Sequence, residues 1–274
     1  MRNHHEPGAD QEAYLWPSVE AVSKKTIGLR YTLLPTLYTL HANVHFNGGT
    51  VARSLMFNFP TDTQTYAIDA QFMWSDVLLI TPVLKQGDVS VWGYFPPSKL
   101  WYSAWNLTKL AGNGWLNLPC SIQDAIQVHI AGGSILPTQG AAMTTAAGRL
   151  NPFGLLVAFD QQSQATGSLF WDSGADLVDG TNALQVSFKA NAQGLSWHVA
   201  SNTFKGSMPP LQSVSIGGFA YNPSGISVNG QALPAGSWSY SAANQVLSVT
   251  LNQPLTADGN IAFTQAYESF AALE

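Results

Sequence analysis

The stretch LQVSFKA, residues 184–190, alternates apolar and polar side chains along its length. The stretch VLSVTL, residues 246–251, repeats this alternation. Because successive side chains of a strand point to opposite faces, a period of two predicts half-buried strands of antiparallel sheets. Turns rich in Gly and Asn, such as residues 228–230, separate these stretches. We therefore expect β-sandwiches over the later part of the chain.

The N-terminal part follows a different period. Residues 18–47 carry apolar side chains at helical spacing, with Ser18 as a suitable N-cap and Glu20 in the first turn. Pro35 should kink this helix or divide it in two, since proline removes an internal hydrogen bond. The pair Gly48-Gly49 should end it.

Two apolar runs follow the helix. The run VARSLMFNFP, residues 51–60, is apolar at most positions and predicts a buried strand. The run VLLITPVL, residues 77–84, predicts another buried strand that ends at Pro82. Residues 61–74 could form one short helix.

The bulk composition excludes several classes of protein. The chain has 274 residues, 46% of them apolar and only 10% charged, which is typical of a globular, β-rich secreted or lumenal protein. The formal net charge is −5, with 11 Lys plus Arg that form no basic stripe, so we expect no nucleic-acid partner. No run of 18 apolar residues predicts a membrane-spanning helix. Cys120 is the only cysteine, so we expect a small buried filler rather than a disulfide.

One motif conflicts with the start of the sequence. Asn106-Leu107-Thr108 is a glycosylation sequon, which matters only in a secreted chain. Residues 1–30 contain no apolar run of signal-peptide length. The conflict predicts that residue 1 is not the biological start of the protein.

Histidines near the N-terminus leave two interpretations open. His4 and His5, together with His41 and His45 at i, i+4 spacing, could bind a metal. There is no HExxH pattern, so we expect no metal, and we expect the later pair to lie on a partly buried helix face. Alternatively, Arg2 and His4 belong to a polar loop whose donors suit the hydroxyl groups of a ligand.

The stretch WDSGADLVDG, residues 171–180, brings together Asp172, Asp176 and Asp179. Paired carboxylates could cleave a glycosidic bond or bind calcium, although the spacing is not that of an EF-hand. We favour a hairpin turn, because Asp and Gly dominate turns.

Aromatic residues are abundant, with nine Trp, nine Tyr and thirteen Phe. Trp101, Tyr102 and Trp105 are possible surface platforms for sugars, but most aromatics of a β-sandwich lie in its core. The sequence leaves both interpretations open. It contains neither a GxSxG nucleophile elbow nor a GxxxxGK[ST] phosphate loop.

A series of motifs resembles the C-terminal part of glycoside hydrolase family 31, which includes lysosomal α-glucosidase, intestinal maltases and sucrase-isomaltase. The motifs occur in the family's order over nearly the whole chain: MRNHH, LRYTLLPTLYTLHANVHFNGGTVARSLMFNFP, WSDVLLITPVL, YFPPSKLWY, AGGSILPTQ and GSLFWDSG.

The resemblance implies a mainly β fold, in which the remnant of the last part of a (β/α)8 barrel precedes two antiparallel β-sandwich domains. Residues 1–59 would end the barrel, with a closing strand from residue 50 or 51. Residues 60–150 would form the proximal sandwich and residues 151–265 the distal one. Residues 266–274 form a tail that the family does not explain.

The resemblance also implies the chemistry. Family members are similar to retaining glycosidases with an Asp nucleophile and an Asp acid/base, both upstream of the Arg-Asn-His stretch. His4 matches the histidine that binds the sugar, and Arg2 matches the arginine of the same motif. The turn departs from the family pattern FWDDGE at Ser173 and Ala175, which weakens any role for it beyond folding.

The leading hypothesis is therefore the C-terminal portion of a secreted or lysosomal α-glucosidase. It would act on α-linked oligosaccharides, without a cofactor, and this chain alone would be inactive. A non-catalytic carbohydrate-binding or interaction module is the alternative, and a metal-dependent enzyme using His4 and His5 is a third.

Overall fold

A computed structural model describes residues 12–175 and 177–265. A 3-10 turn at Ala13–Leu15 leads into helices α1 (Pro17–Thr32) and α2 (Leu34–Asn47). The break at Leu33 confirms the predicted division, since Pro35 lies in the first turn of α2, where its missing N–H costs nothing. Gly48 ends α2 with φ at +77°, and its N–H donates to the Val44 carbonyl.

The strand predicted for residues 51–60 is wrong. That stretch forms a two-residue strand β1 (Ala52–Arg53) and a short helix α3 (Leu55–Asn58). The helical turn buries Leu55 and Phe59 on one side and leaves the residues between them largely outside. A short apolar run does not by itself distinguish a strand from a helix. Strand β1 pairs antiparallel with β2 (Phe72–Trp74) at the edge of a sheet. Closure of the barrel by this stretch stays a prediction.

The first β unit contains a five-stranded sheet and a two-stranded ribbon. The sheet has the order β1-β2-β3-β7-β5 and is antiparallel throughout, and the ribbon pairs β4 with β6. The remaining strands are β3 (Leu78–Thr81), β4 (Ser90–Phe95), β5 (Trp101–Ser103), β6 (Gly114–Pro119) and β7 (Gln127–Ala131). All four residues of β3 are buried, as predicted, and a 3-10 turn at Thr63–Thr65 is the short helix expected before β2.

The second β unit is an eleven-stranded sheet that curls into a half-barrel. Its order is β15-β14-β18-β12-β11-β10-β8-β9-β13-β17-β16. Every neighbouring pair is antiparallel except β8–β10 and β9–β13. The strands are β8 (Ser134–Gln139), β9 (Phe153–Ala158), β10 (Gln164–Trp171), β11 (Leu184–Asn191), β12 (Gly194–Asn202), β13 (Leu211–Gly217), β14 (Gly225–Val228), β15 (Gln231–Ala232), β16 (Trp238–Ser241), β17 (Val246–Gln253) and β18 (Gly259–Thr264), with helix α4 (Thr145–Gly148) between β8 and β9.

The predicted alternation along residues 184–190 is confirmed. Leu184, Val186 and Phe188 are buried in the core that the large sheet encloses, and Gln185 and Lys189 are exposed. The fold is therefore mainly β, with 39% strand and 17% helix among the residues that the structure describes.

A shared apolar cluster joins the helices to both β units. Leu33, at the break between the helices, packs with Ile130 of β7 and Leu136 of β8. The buried Tyr102 hydroxyl donates to the Phe159 carbonyl at 2.8 Å across the two β units. Strand β8 precedes residue 150 but belongs to the large sheet, so that sheet takes its first strand from the stretch predicted for the proximal sandwich.

Candidate functional site

The predicted sugar-binding residues, Arg2 and His4, lie outside the described residues, as does His5. Their proposed roles stay predictions. What the structure does describe is the junction that holds the following helices on the β units.

Helix α2 lies on the large sheet through a row of short polar side chains. The Thr36 hydroxyl donates to the Pro137 carbonyl at 2.7 Å, and the Thr39 hydroxyl accepts from the Phe170 N–H at 3.1 Å. Both threonines are buried. Spacings of three and four residues put such side chains on one face of a helix, which explains why this face meets the sheet.

Asp172 completes the helix–sheet junction from the end of β10. The Tyr38 hydroxyl of α2 lies 3.0 and 2.8 Å from its two carboxyl oxygens, and the Gly174 N–H donates to Oδ1 at 2.7 Å. Asp172 is only 4% exposed, so these partners replace water. Burial, reinforced by the Asp172 hydrogen bond, raises the pKa of Tyr38 to about 12, and the hydroxyl therefore stays a donor.

Arg149 contacts the end of β10 next to the junction. Its guanidinium carbon lies 3.7 Å from the centroid of the Trp171 ring, and the group also donates to the Asp172 carbonyl. Burial lowers the pKa of Arg149, and the neighbouring Asp172 opposes that shift. A cavity of about 320 Å³ lies beside these groups, lined by aromatic side chains that include Tyr31 and Tyr38. Two polar residues of its lining, Tyr38 and Arg149, also bond Asp172 at the junction.

The Asp-rich turn thus behaves as the turn interpretation expects. Asp172 is held by structural partners, and Asp176 lies outside the described residues. Exposed Asp179 accepts from the Thr181 N–H at 2.9 Å and hydroxyl at 2.8 Å, and these bonds lower its pKa. Asp179 therefore caps its own loop, and Asp172 anchors a helix.

The other candidate ligands are dispersed. His41 and His45 are exposed on α2, so the expectation of partial burial is wrong. Within residues 12–175 and 177–265, no three His, Cys, Asp or Glu side chains lie close enough together to hold a metal ion. Cys120 is free and buried, as expected, and burial raises the pKa of its thiol.

The structure separates the aromatic candidates. Trp101 and Tyr102 are each 1% exposed and belong to the core, so the platform interpretation is wrong for both. Trp105 is half-buried, and Lys25 lies 5.2 Å from its ring centroid. The broadly exposed tryptophans of the first β unit are Trp92 and Trp115 on the β4–β6 ribbon. Alternating exposure along β6 places Trp115 on the outer face, whereas β4 does not alternate and offers no such signal for Trp92.

Asn106 of the sequon is exposed in a turn after β5. Its side-chain oxygen accepts from the Thr108 N–H at 3.0 Å, and Leu107 has φ at +58°. This loop would present the side-chain amide to solvent. Glycosylation at Asn106 stays a prediction. No helix in the described part of the chain is long and apolar enough to span a membrane.

Two family models match consecutive parts of the sequence. Residues 1–40 match the TIM-barrel domain of glycosyl hydrolases family 31. Residues 48–136 match the C-terminal domain of the same family. The helices and the first β unit therefore fall on two successive family domains.

Characterised relatives cover most of this chain. Lysosomal alpha-glucosidase of Mus musculus is 34% identical over 276 residues, covering 92% of this chain and 28% of that protein. Alpha-glucosidase of Schizosaccharomyces pombe is 37% identical over 266 residues, covering 95% of this chain and 27% of that protein. The chain thus spans little more than a quarter of the length of these two relatives.

Solved structures share the fold. A Flavobacterium johnsoniae GH31 dextranase complexed with glucose superposes with a TM-score of 0.78 at 22% identity, covering 94% of this chain and 34% of that one. A glucosidase II alpha subunit superposes with a TM-score of 0.78 at 20% identity, covering 92% of this chain and 30% of that one. Taken with the two family models and the relatives, this likeness means that the chain belongs to glycosyl hydrolase family 31.

Proposed function

We propose that this chain works within a retaining α-glucosidase that releases terminal α-linked glucose from oligosaccharides. Two α-glucosidases among its relatives, each covered over a quarter of its length, support this activity. The catalytic aspartates would come from barrel strands outside these 274 residues. One would attack the sugar to form a covalent glycosyl-enzyme, and the other would protonate the leaving oxygen and then activate water.

The described residues would act as a buttress for that barrel. The observation that carries this role is the seating of α2, which matches the barrel domain up to residue 40, on the large sheet through the buried Thr36, Thr39 and Tyr38–Asp172 bonds. Substrate-positioning groups act only when they are held to within fractions of an ångström. A helix anchored in this way would keep the preceding loop, with His4 on the sugar and Arg2 bracing the loop, in register with the catalytic residues.

The proposal includes a compartment. Lysosomal alpha-glucosidases are among the relatives, and the exposed sequon at Asn106 suits passage through the secretory pathway. We therefore place the enzyme in a lysosome or outside the cell, with a glycan on Asn106. Wild-type protein from the source should be heavier than its Asn106→Gln variant by the mass of a glycan, which would support this placement. Wild type and variant of nearly equal mass would contradict it.

An antibody raised to residues 151–265 tests the function. It should deplete α-glucosidase activity from the source and detect a band several times heavier than the 29.4 kDa of this chain. The pure chain should not hydrolyse 4-nitrophenyl α-glucoside. A single band near 29.4 kDa with no activity depleted would instead favour a carbohydrate-binding or interaction module.

The role of His4 needs the active enzyme. His4→Ala in the long protein should lower kcat/KM by about 10²-fold, the usual effect of removing one preorganised donor. His5→Ala is the matched control and should retain activity. Equal losses in both variants would contradict the assignment of His4.

A further inference from the structure

The β4–β6 ribbon presents an aromatic outer face. Its inner face packs on the first β unit through Phe95, which is fully buried, and Leu118. On the outer face, Trp92 is 60% exposed and Trp115 is 48% exposed. Neither tryptophan is among the buried residues of the core cluster that lies behind the ribbon.

The two tryptophans form one surface. In the ribbon register Trp92 pairs with Asn117, and Tyr94 pairs with Trp115. The tryptophans are therefore diagonal neighbours, with side chains rooted about 7–8 Å apart. Side chains at this separation can contact successive rings of one extended ligand.

The surface is also rigid on one side. The Tyr94 ring lies 5.3 Å from that of Trp115, and the Tyr94 hydroxyl donates to Asp62 Oδ2 at 2.8 Å. The Tyr94 N–H donates to the side-chain oxygen of buried Gln71 at 2.6 Å. Trp115 therefore rests against a fixed ring, which reduces the entropy lost when a ligand stacks on it.

The groups around the rings are polar and include one carboxylate, that of Asp62, which accepts from the Tyr94 hydroxyl. Tyr94 shares this face but is 5% exposed and belongs to the core cluster. The other five residues of the face carry no charge: Ser90, Trp92, Trp115, Asn117 and Pro119. Nucleic acid and anionic lipid need cations that this face lacks. Exposed Asn117 offers a donor and an acceptor to hydroxyl groups, and the indole faces suit the C–H face of a pyranose ring.

We infer that the outer face of the β4–β6 ribbon is a binding site for an α-linked glucan chain, in which Trp92 and Trp115 stack on sugar rings and Asn117 bonds their hydroxyls. Exposed aromatic and amide groups without a cation on the paired strands point to a carbohydrate, and the α-linked glucan rests on the proposed function. The site would hold long substrates near the enzyme without taking part in the cleavage.

Isothermal titration of the 274-residue chain with maltoheptaose tests the site directly. We expect saturable binding that Trp92→Ala weakens at least about tenfold, or 1.4 kcal/mol, and that the W92A/W115A double variant abolishes. Trp16→Ala is the matched control, because Trp16 is 47% exposed and precedes α1, away from the ribbon. Circular dichroism verifies that each variant folds. If the double variant misfolds, the single variant Trp92→Ala still tests the site. Absence of saturable binding, or equal binding by all variants, overturns the inference.

A second arm separates this site from the proposed function. In the long enzyme, Trp92→Ala should raise KM for soluble starch about threefold or more and leave kcat unchanged, since uniform binding alone is lost. Its hydrolysis of 4-nitrophenyl α-glucoside should match wild type. A long wild-type protein inactive on both substrates would refute the proposed function. The titration with maltoheptaose would still test whether the ribbon binds a glucan. An unchanged KM for starch would overturn the role in holding substrate.

Discussion

The helix–sheet junction buries polar side chains, whereas the outer face of the β4–β6 ribbon exposes aromatic ones. At the junction, polar groups such as Asp172 and Thr39 are buried and fully engaged with partners from another element. On the ribbon, large aromatic groups are exposed and face solvent. Buried polar groups with all their partners inside the protein fix the fold, whereas aromatic groups exposed at the surface are available to a ligand.

The sharpest division lies within the ribbon itself, where the two faces should respond differently to truncation. Phe95→Ala should cost about 3–5 kcal/mol of unfolding free energy, because it empties a fully buried site beside Trp101. Trp92→Ala on the outer face should cost less than about 1 kcal/mol. Urea denaturation measures both. Equal losses would mean that Trp92 is part of the core and that the ribbon has no separate outer face.

His129 of β7 is a buried polar side chain that lacks the partners seen at the junction. Its Nδ1 has no hydrogen-bond partner, and burial lowers its pKa to about 4 from an ordinary 6.5. The folded protein favours the neutral imidazole of His129. The unfolding free energy therefore has its full value above pH 6.5 and decreases as the pH falls toward 4. The loss should reach about 3 kcal/mol below that range.

Urea midpoints between pH 7 and pH 4 measure this dependence. His129→Phe should flatten the slope, since it keeps an aromatic ring against Phe95 and removes the proton site. A slope that survives His129→Phe would assign the acid sensitivity to other groups.

The junction makes a prediction of similar size. Asp172→Ala should cost about 2–3 kcal/mol, because the Tyr38 hydroxyl and the Gly174 N–H lose their acceptor in a buried place. Asp172→Asn keeps an oxygen acceptor, so its unfolding free energy should lie between those of Asp172→Ala and wild type. Asp179→Ala, in the exposed half of the same turn, should leave the thermal midpoint nearly unchanged. If Asp179→Ala were the more damaging change, the anchoring role of Asp172 would be wrong.

The smallest expected effect is a gain in stability outside both regions. Gly28 lies within α1, and a Cβ added there would meet no atom within 4 Å. Gly28→Ala should therefore stabilise the chain by about 0.5–1 kcal/mol, since alanine restricts the unfolded chain and favours the helix. Gly167→Ala is the opposite control, because its Cβ would lie 2.1 Å from the Ile135 carbonyl oxygen of the adjacent parallel strand. A gain at both positions would contradict the structure.

Local patterns were sufficient for much of the architecture. The alternation along residues 184–190 requires two chemically different strand faces, and Pro35 requires a break in the helix, whatever surrounds them. Composition and motif order likewise indicated a mainly β member of family 31. These features depend on near neighbours in the chain, which is why the sequence alone was enough.

Long-range packing decided the rest. Nothing near Trp101 or Trp92 in the chain says that the first is core and the second surface, because each exposure depends on which strand faces the first β unit. The apolar run at residues 51–60 folds as a helical turn because Leu55 and Phe59 share one buried side. Asp172 became an anchor only when Tyr38, 134 residues away in the chain, reached its carboxyl group. Burial and hydrogen bonding between distant segments are properties of the folded chain, and no local period encodes them.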